Sequence, residues 1–313
     1  AYKKIYNRRK ESKRMKRIRT LVLSFLVACA VLFVPFAVNA GYGIQNVAAA
    51  EEDESTTDYS TKYVVLSLEG FTIGQGFYIT PTRMSYEEIG NVWKQEGIDI
   101  DLSKLTVSQA TYAFFKKAGL QTKPAGSSAY NDSNFYLANI KGIDKGTVKV
   151  PTALLDAYKT HNNGNDLELE DKTGTELGEY DYTSWSGWMI TVDNVQCNTS
   201  AGAYLVDQGT GADTNVLRWQ FTLAGYGADI GCGFEGNEAY YVTQDKTDLY
   251  TLYAENKEEI AKDASLNAEL LAVMTDLDAS ADDVAAAVKK IKALEEKQVS
   301  IKMNSSVPYM TLT

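Results

Sequence analysis

Histidine is almost missing from this chain of 313 residues, which contains only His161. Serine- and cysteine-based hydrolytic sites need a histidine as their general base. His161 lies in a polar stretch without a nucleophile motif beside it, so the sequence does not indicate such a site. The 41 acidic residues make chance pairs of carboxylates common, so they give no signal for glycoside cleavage. The sequence therefore predicts a protein that is not an enzyme.

Cysteine is scarce as well. Cys29 lies in an N-terminal apolar run, which leaves Cys197 and Cys232 as the only two cysteines in the rest of the chain. Two thiols and one distant histidine do not make a set of zinc ligands, so no metal is predicted. In an exported protein the two thiols can oxidise, and two cysteines allow a single pairing. We predict a disulfide between Cys197 and Cys232; two free thiols are the alternative, because sequence does not fix their geometry.

Basic residues are concentrated at the start of the chain. Residues 1–20 contain ten lysines and arginines, residues 21–38 form an uncharged apolar run, and small residues follow at Val38 and Ala40. This order predicts a secretory signal peptide over residues 1–40. An uncleaved anchor formed by residues 21–38 is one alternative, because the run is about long enough to span a bilayer. Lipidation at Cys29 is another.

Beyond residue 40 the chain is strongly acidic. Residues 41–313 contain 21 basic and 40 acidic residues, a net charge of −19. Such a surface repels phosphate backbones, which excludes nucleic acid as a partner. The same charge favours solubility outside the cell. We therefore expect an extracellular or cell-surface protein that contacts the membrane only through its N-terminal segment.

Strand and helix patterns alternate from residue 62 onward. Short β-branched and apolar runs predict strands, and capping-box pairs at Ser85 and Thr106 predict the starts of two helices. A third helix is expected after Pro151, which suits a first helical turn. This mixed order predicts an α+β fold. The predicted strands cover residues 63–68, 77–80, 135–143, 188–193, 203–206 and 216–222.

Composition divides the chain into segments. Residues 41–61 are acidic and poor in apolar side chains, which predicts a disordered linker. Residues 62–247 form the α+β domain. Residues 248–298 carry leucine, valine and isoleucine at helical spacing, which predicts a helical hairpin that acts as a spacer. Residues 299–303 return to strand character, so residues 299–313 are expected to be the start of a further strand or a truncated end.

Three motifs in the α+β domain resemble a known family. Residues 186–194 (SGWMITVDN), 216–222 (VLRWQFT) and 226–231 (YGADIG) are similar, in sequence and in order, to motifs of the transcobalamin-like C-terminal domain family. That family is common in exported proteins of Gram-positive bacteria. The resemblance extends over residues 62–231, roughly half of the chain. It implies a β-grasp-like α+β fold, in which a helix packs on a mixed or antiparallel sheet.

The resemblance also implies a class of ligand. In vitamin B12 carriers such a domain closes over the corrinoid together with a larger helical barrel, and the short helices after residue 248 do not supply one. Half of a two-sided pocket buries less of its ligand and is expected to bind it weakly. We therefore expect first an exported, non-enzymatic binding or adhesion module for a cell-surface protein or glycan. The alternatives are a protein that binds a corrinoid (cobalamin-like) or another small ligand and, least supported, an exported enzyme.

Aromatic residues are the main candidates for ligand contact. Trp188 and Trp219 alternate with polar residues on predicted strands, which is typical of core positions. Trp185 and Tyr226 lie in predicted loops, so we predict that they bind the ligand. Asp229 lies between glycines, where it either caps a turn or binds, and we group it with these two. No catalytic residue and no cofactor are predicted, and cobalamin would be a ligand.

Overall fold

The structure is a computed structural model that describes residues 57–170, 174–208, 210–233 and 238–305. The predicted signal peptide and most of the predicted acidic linker lie outside these residues. Within them the fold is α+β, as predicted, with a mixed five-stranded sheet, a small second sheet and eight α-helices.

The five-stranded sheet has the order β2-β1-β8-β6-β7. β1 pairs with β2 in the antiparallel sense and with β8 in the parallel sense, while β6 runs antiparallel to both β8 and β7. The sheet is therefore mixed, with its one parallel pair at the centre. Its strands are β1 (Tyr63–Glu69), β2 (Phe77–Ser85), β6 (Gly187–Val192), β7 (Val195–Gln196) and β8 (Thr214–Thr222).

A smaller antiparallel sheet has the order β3-β4-β5. Its strands are β3 (Gln121–Lys123), β4 (Asn139–Lys141) and β5 (Glu176–Gly178). The strand predicted over residues 135–143 is thus confirmed only in its central part. The residues before β4 alternate between buried Phe135 and Leu137 and exposed Tyr136 without joining a sheet.

The two capping boxes begin helices where the sequence predicts them. Helix α1 (Tyr86–Gln95) starts after Ser85, whose hydroxyl accepts the Glu88 N–H at 3.0 Å while the Glu88 carboxylate accepts the Ser85 N–H at 2.7 Å. Reciprocal bonds of this kind satisfy donors that the helix leaves open. The second box, at Thr106, precedes the helix Val107–Ala118, and Pro151 precedes the helix Thr152–His161. These helices are α2 (Val107–Ala118), the short α3 (Ser127–Tyr130) and α4 (Thr152–His161).

Strand alternation gives the large sheet one apolar face, which packs against α1 and α2. Trp188 and Trp219 lie in this core and are almost fully buried, as predicted. Trp219 donates its indole N–H to the hydroxyl of Thr111 on α2 at 2.9 Å. A buried indole needs such a partner, so this bond fixes the position of α2 on the sheet.

The opposite face of the sheet is covered by the C-terminal helices. Val65 and Val216 share a core with Leu249, Tyr250 and Ile260. The predicted helical spacer is therefore part of the α+β unit, because its apolar side chains find their partners on the sheet. The helices are α5 (Thr247–Glu255), α6 (Lys257–Ile260), α7 (Ala264–Thr275) and α8 (Ala281–Ser305).

Two predicted strands are wrong. Residues 203–206 form only an isolated bridge between Leu205 and Thr106. The backbone around them bonds to the start of α2, where the N–H groups of Val107 and Ser108 donate to the Tyr204 and Ala201 carbonyls at 2.9 Å. Residues 299–305 continue α8, a segment without glycine or proline to end it. No helix in the described ranges combines the length and the apolar character needed to span a bilayer.

Candidate functional site

The loop after β8 is organised by Asp229. Its carboxylate is fully buried and accepts hydrogen bonds from the Thr222 hydroxyl and from the N–H groups of Leu223 at 2.6 Å and Ala224 at 3.0 Å. Burial raises the pKa of the Asp229 carboxyl, although these hydrogen bonds act in the opposite direction. The predicted ligand contact through Asp229 is wrong, because none of its surface is exposed. Its role is to cap the turn.

Tyr226 lies in the loop that Asp229 holds. Its φ of 49° is in the left-handed region, and Gly225 and Gly227 on either side have φ values of 104° and 97°. A Cβ at position 227 would approach the Cβ of Cys232 to 3.1 Å, so the turn needs glycine there. The N–H of Tyr226 donates to the carbonyl of Trp185 at 3.4 Å. The loop therefore carries Tyr226 to the segment before β6.

Trp185 and Tyr226, both predicted to bind ligand, are in contact. Their ring centroids are 5.1 Å apart with an interplanar angle of 70°, an edge-to-face arrangement. The backbone N–H of Trp185 donates to the Thr183 hydroxyl at 3.0 Å, and that hydroxyl donates to the Leu223 carbonyl at 2.6 Å. Trp185 is nevertheless 54% exposed. The two loops thus fix the Trp185 backbone and leave its ring at the surface against Tyr226.

Two further tyrosines extend this surface. Tyr136 is 53% exposed and Tyr180 is 42% exposed, and both lie near the Glu179 carboxylate. Burial, followed by the charge of Glu179, raises the pKa of Tyr136 to about 12. Hydrogen bonds with Glu179 and Tyr226 raise the pKa of Tyr180. We call Tyr136, Tyr180, Trp185 and Tyr226 the aromatic strip.

Sequence reasoning did not single out Tyr136 or Tyr180. A signal for Tyr136 was present, because it alternates with apolar Phe135 and Leu137 and so points away from the core. Tyr180 carries no such signal. Tyr180 has a φ of 62° and lies near Tyr226, which belongs to a loop that is distant in sequence.

A cavity of about 780 Å³ lies beside Trp185. One wall is the end of α4 with residues 162–170, and the other is formed by residues 180–185. The Glu170 N–H joins the walls by donating to the Tyr182 carbonyl at 2.7 Å. We call this cavity the cleft. Opposite the aromatic rings its wall carries the amide and carboxylate side chains of Asn162, Asn165, Asp166, Glu168 and Glu170.

The chain that follows α4 forms the wall of the cleft that carries Asn162 and Asn165. Asn163 and Gly164 have φ values of 54° and 87°, which turn the chain back after the helix. Asp166 pairs with Lys159 at 2.8 Å, and the Asn162 amide donates to the Tyr158 hydroxyl at 3.1 Å. The wall is therefore bonded to the helix that precedes it.

His161 contributes to the support of the same region. Its ring stacks on Tyr240 with centroids 4.8 Å apart. The Tyr240 hydroxyl donates to the carbonyl of Ala224 at 2.9 Å. The only histidine of the chain thus links α4 to the loop that carries Tyr226.

The disulfide predicted between Cys197 and Cys232 is not formed in the structure, where both thiols are free and buried. The Cys197 N–H bonds to the Ile190 carbonyl, and Cys197 belongs to the core on the α2 side of the sheet. Cys232 lies beside Gly227. Burial raises the pKa of Cys197 to about 12, to which the charge of Cys232 adds, and burial raises the pKa of Cys232 to about 11.

In the part of the chain that the structure describes, no three His, Cys, Asp or Glu side chains are grouped so that they could hold a metal ion. Comparison with protein-family models, with curated proteins and with solved structures finds no match to this chain.

Proposed function

We propose that this chain is an exported, non-enzymatic binding or adhesion module that contacts a cell-surface protein or glycan through the aromatic strip and the cleft. The observation that carries the proposal is the contact between Trp185 and Tyr226 at the surface. Clustered exposed aromatic rings are typical of binding surfaces, where they supply large contact areas at low entropic cost. Buried Asp229 fixes the supporting loop before any ligand arrives.

Export is proposed from the sequence. The basic, apolar and small segments of residues 1–40 have the order of a secretory signal, and the net charge of −19 over residues 41–313 suits a soluble surface outside the cell. The proposed location is therefore the cell surface or the surrounding medium, with residues 21–38 as the membrane contact if they are retained.

A solid-phase assay tests the proposal. Residues 41–313 would be applied to wells coated with fibronectin, collagen, xylan, cellulose or peptidoglycan. We expect saturable binding to at least one coating, and a loss of at least tenfold in the double variant Trp185→Ala/Tyr226→Ala. Val242→Ala is the control, because Val242 is 77% exposed and does not line the cleft. Binding to none of the coatings, or equal binding by the double variant, would reject the proposal.

A corrinoid is the second candidate ligand. The three motifs that resemble the transcobalamin-like family lie on β6, on β8 and in the Asp229 loop, which are the elements that flank the aromatic strip. We therefore also propose a β-grasp-like identity for the fold, with the aromatic strip as one side of a corrinoid pocket. Calorimetric titration with cyanocobalamin tests this. A micromolar dissociation constant would favour it. The absence of binding heat at cyanocobalamin concentrations up to about 1 mM, which corresponds to a binding free energy of about 4 kcal/mol, would reject it.

A further inference from the structure

We infer that the cleft beside Trp185 binds a neutral oligosaccharide. This inference rests on the proposed function and names the ligand class of the same site. It follows from three properties of the cleft: the exposed aromatic rings, the hydrogen-bonding side chains that face them, and the sign of the charge.

The aromatic rings offer flat surfaces that are exposed to solvent. Tyr226 meets Trp185 edge-to-face, and more than half of Trp185 remains in contact with water. A pyranose ring presents a face of C–H bonds, which are weakly positive and match the negative face of an aromatic ring. Tyr180, from the same loop, is 42% exposed and also lines the cleft, so a second ring is available to a chain of sugars.

The facing wall supplies hydrogen-bond acceptors. The amide nitrogens of Asn162 and Asn165 donate to the Tyr158 hydroxyl and to the Asn162 carbonyl, at 3.1 Å and 2.9 Å, so these bonds leave the amide oxygens as acceptors. Glu168 and Glu170 are exposed carboxylates on the same wall. Planar amides and carboxylates can accept two hydrogen bonds side by side, which suits neighbouring hydroxyl groups of a sugar.

The size of the cleft favours a chain over a protein surface. About 780 Å³ falls within the range of about 300–1,000 Å³ that is usual for small-ligand sites. A stable protein partner would instead cover about 800 Å² of a flatter surface. A concave cleft lined by rings and polar groups therefore fits a few linked sugars.

The charge of the cleft selects against acidic glycans. Asp166, Glu168 and Glu170 line it, and Lys159 pairs with Asp166. Among the described residues that line it there is no lysine or arginine. An anionic sugar would be repelled by these carboxylates and by the net charge of the chain. A neutral glycan is therefore expected to bind better than a uronic acid polymer of the same length.

Calorimetry with defined ligands tests the inference on residues 41–313. The neutral probes are cellohexaose, xylohexaose, mannohexaose and N-acetylchitohexaose, with hexagalacturonate as the anionic probe and hexalysine as the cationic one. We expect at least one neutral probe to bind at least tenfold more tightly than hexagalacturonate. Trp185→Ala should weaken that binding by tenfold or more with an unchanged Tm, and Val242→Ala should have no effect.

The outcomes separate this inference from the proposed function. If no neutral probe binds but hexalysine or a coated protein binds in a manner that depends on Trp185, the ligand class is wrong and the proposed binding surface stands. If no probe or coating of any class shows binding that depends on Trp185, both are wrong.

Discussion

A buried ion pair links the two central strands on the face that the C-terminal helices cover. Arg218 of β8 donates from Nε and Nη2 to the two carboxylate oxygens of Glu69 on β1, at 2.9 Å and 2.8 Å. Their side chains are only 4% and 1% exposed. Ser67 donates to the same carboxylate at 2.6 Å, and the guanidinium lies 4.8 Å from the ring of Tyr250 on α5. We predict that Arg218→Met strongly destabilises the protein.

The expected loss of stability follows from the buried Glu69 carboxylate that Arg218→Met leaves unpaired. Methionine fills part of the space, but Glu69 then remains as a buried carboxylate without its cation. Breaking a buried pair in this way costs about 3–5 kcal/mol, a large part of the stability of an ordinary domain. Replacing both members, in Glu69→Leu/Arg218→Met, removes the isolated charge. The double variant should therefore be more stable than Arg218→Met by at least about 2 kcal/mol.

Urea unfolding of residues 41–313, followed by circular dichroism, measures both variants. The expected result is a much lower midpoint for Arg218→Met and partial or full recovery in the double variant at an unchanged slope. An exposed pair offers a control, since Lys104→Met would break its contact with Asp101 at a cost below about 1 kcal/mol. A loss of under about 1 kcal/mol in Arg218→Met, or a double variant no more stable than the single one, would refute the reasoning.

Three further predictions concern other buried groups. Asp229→Ala should cost about 3 kcal/mol in urea unfolding, because two buried N–H groups lose their acceptor, and Asp229→Asn should cost less; equal losses would contradict this. Burial lowers the pKa of Lys246 from 10.5 to about 8, so its charge destabilises the fold at neutral pH, and this penalty shrinks as pH rises from about 8 towards the unfolded pKa. Wild type should therefore gain up to about 1.4 kcal/mol per pH unit over Lys246→Met between about pH 8 and 10, and a flat difference would contradict this. Cys197 and Cys232 should resist iodoacetamide at pH 8 until the protein unfolds and then both react, whereas an intact mass with one disulfide would contradict the free thiols.

Local sequence signals predict the individual helices and strands of the fold. The capping boxes at Ser85 and Thr106 place α1 and α2 because each uses residues only three positions apart. Alternation along β6 and β8 identifies Trp188 and Trp219 as core, because neighbouring strand residues point to opposite faces. These features depend on short-range geometry, which a sequence records directly.

The packing of these elements against each other depends on contacts between residues that are distant in sequence. The face that carries Arg218 looks polar in sequence, as a solvent-exposed face would. It is buried beneath the C-terminal helices, and its charge is compensated because Arg218 pairs with Glu69, 149 positions away in the chain. No local pattern shows that pairing, so residues 248–298 resemble a spacer until the sheet face beneath them is known.

The candidate site divides in the same way. Loop position alone distinguishes Trp185 and Tyr226 from the core aromatics, and the structure brings these two rings together. Glycines around Asp229 predict a turn, but only the fold shows that its carboxylate points inward to Thr222 and the following N–H groups. The cleft arises where residues 162–170 meet residues 180–185, a contact that spacing along the chain does not predict.

The central claim is that ligand binds at Trp185, and fluorescence quenching by acrylamide tests it most directly. Of the four tryptophans only Trp185 is exposed, since Trp93, Trp188 and Trp219 are at most 4% exposed. Quenching of the free protein should therefore report mainly on this one residue, and Trp185→Phe should remove most of it. Addition of the saccharide that binds best in calorimetry is predicted to protect this fluorescence from acrylamide. Unchanged quenching at a saturating saccharide concentration would contradict the account, because the ligand would then bind elsewhere.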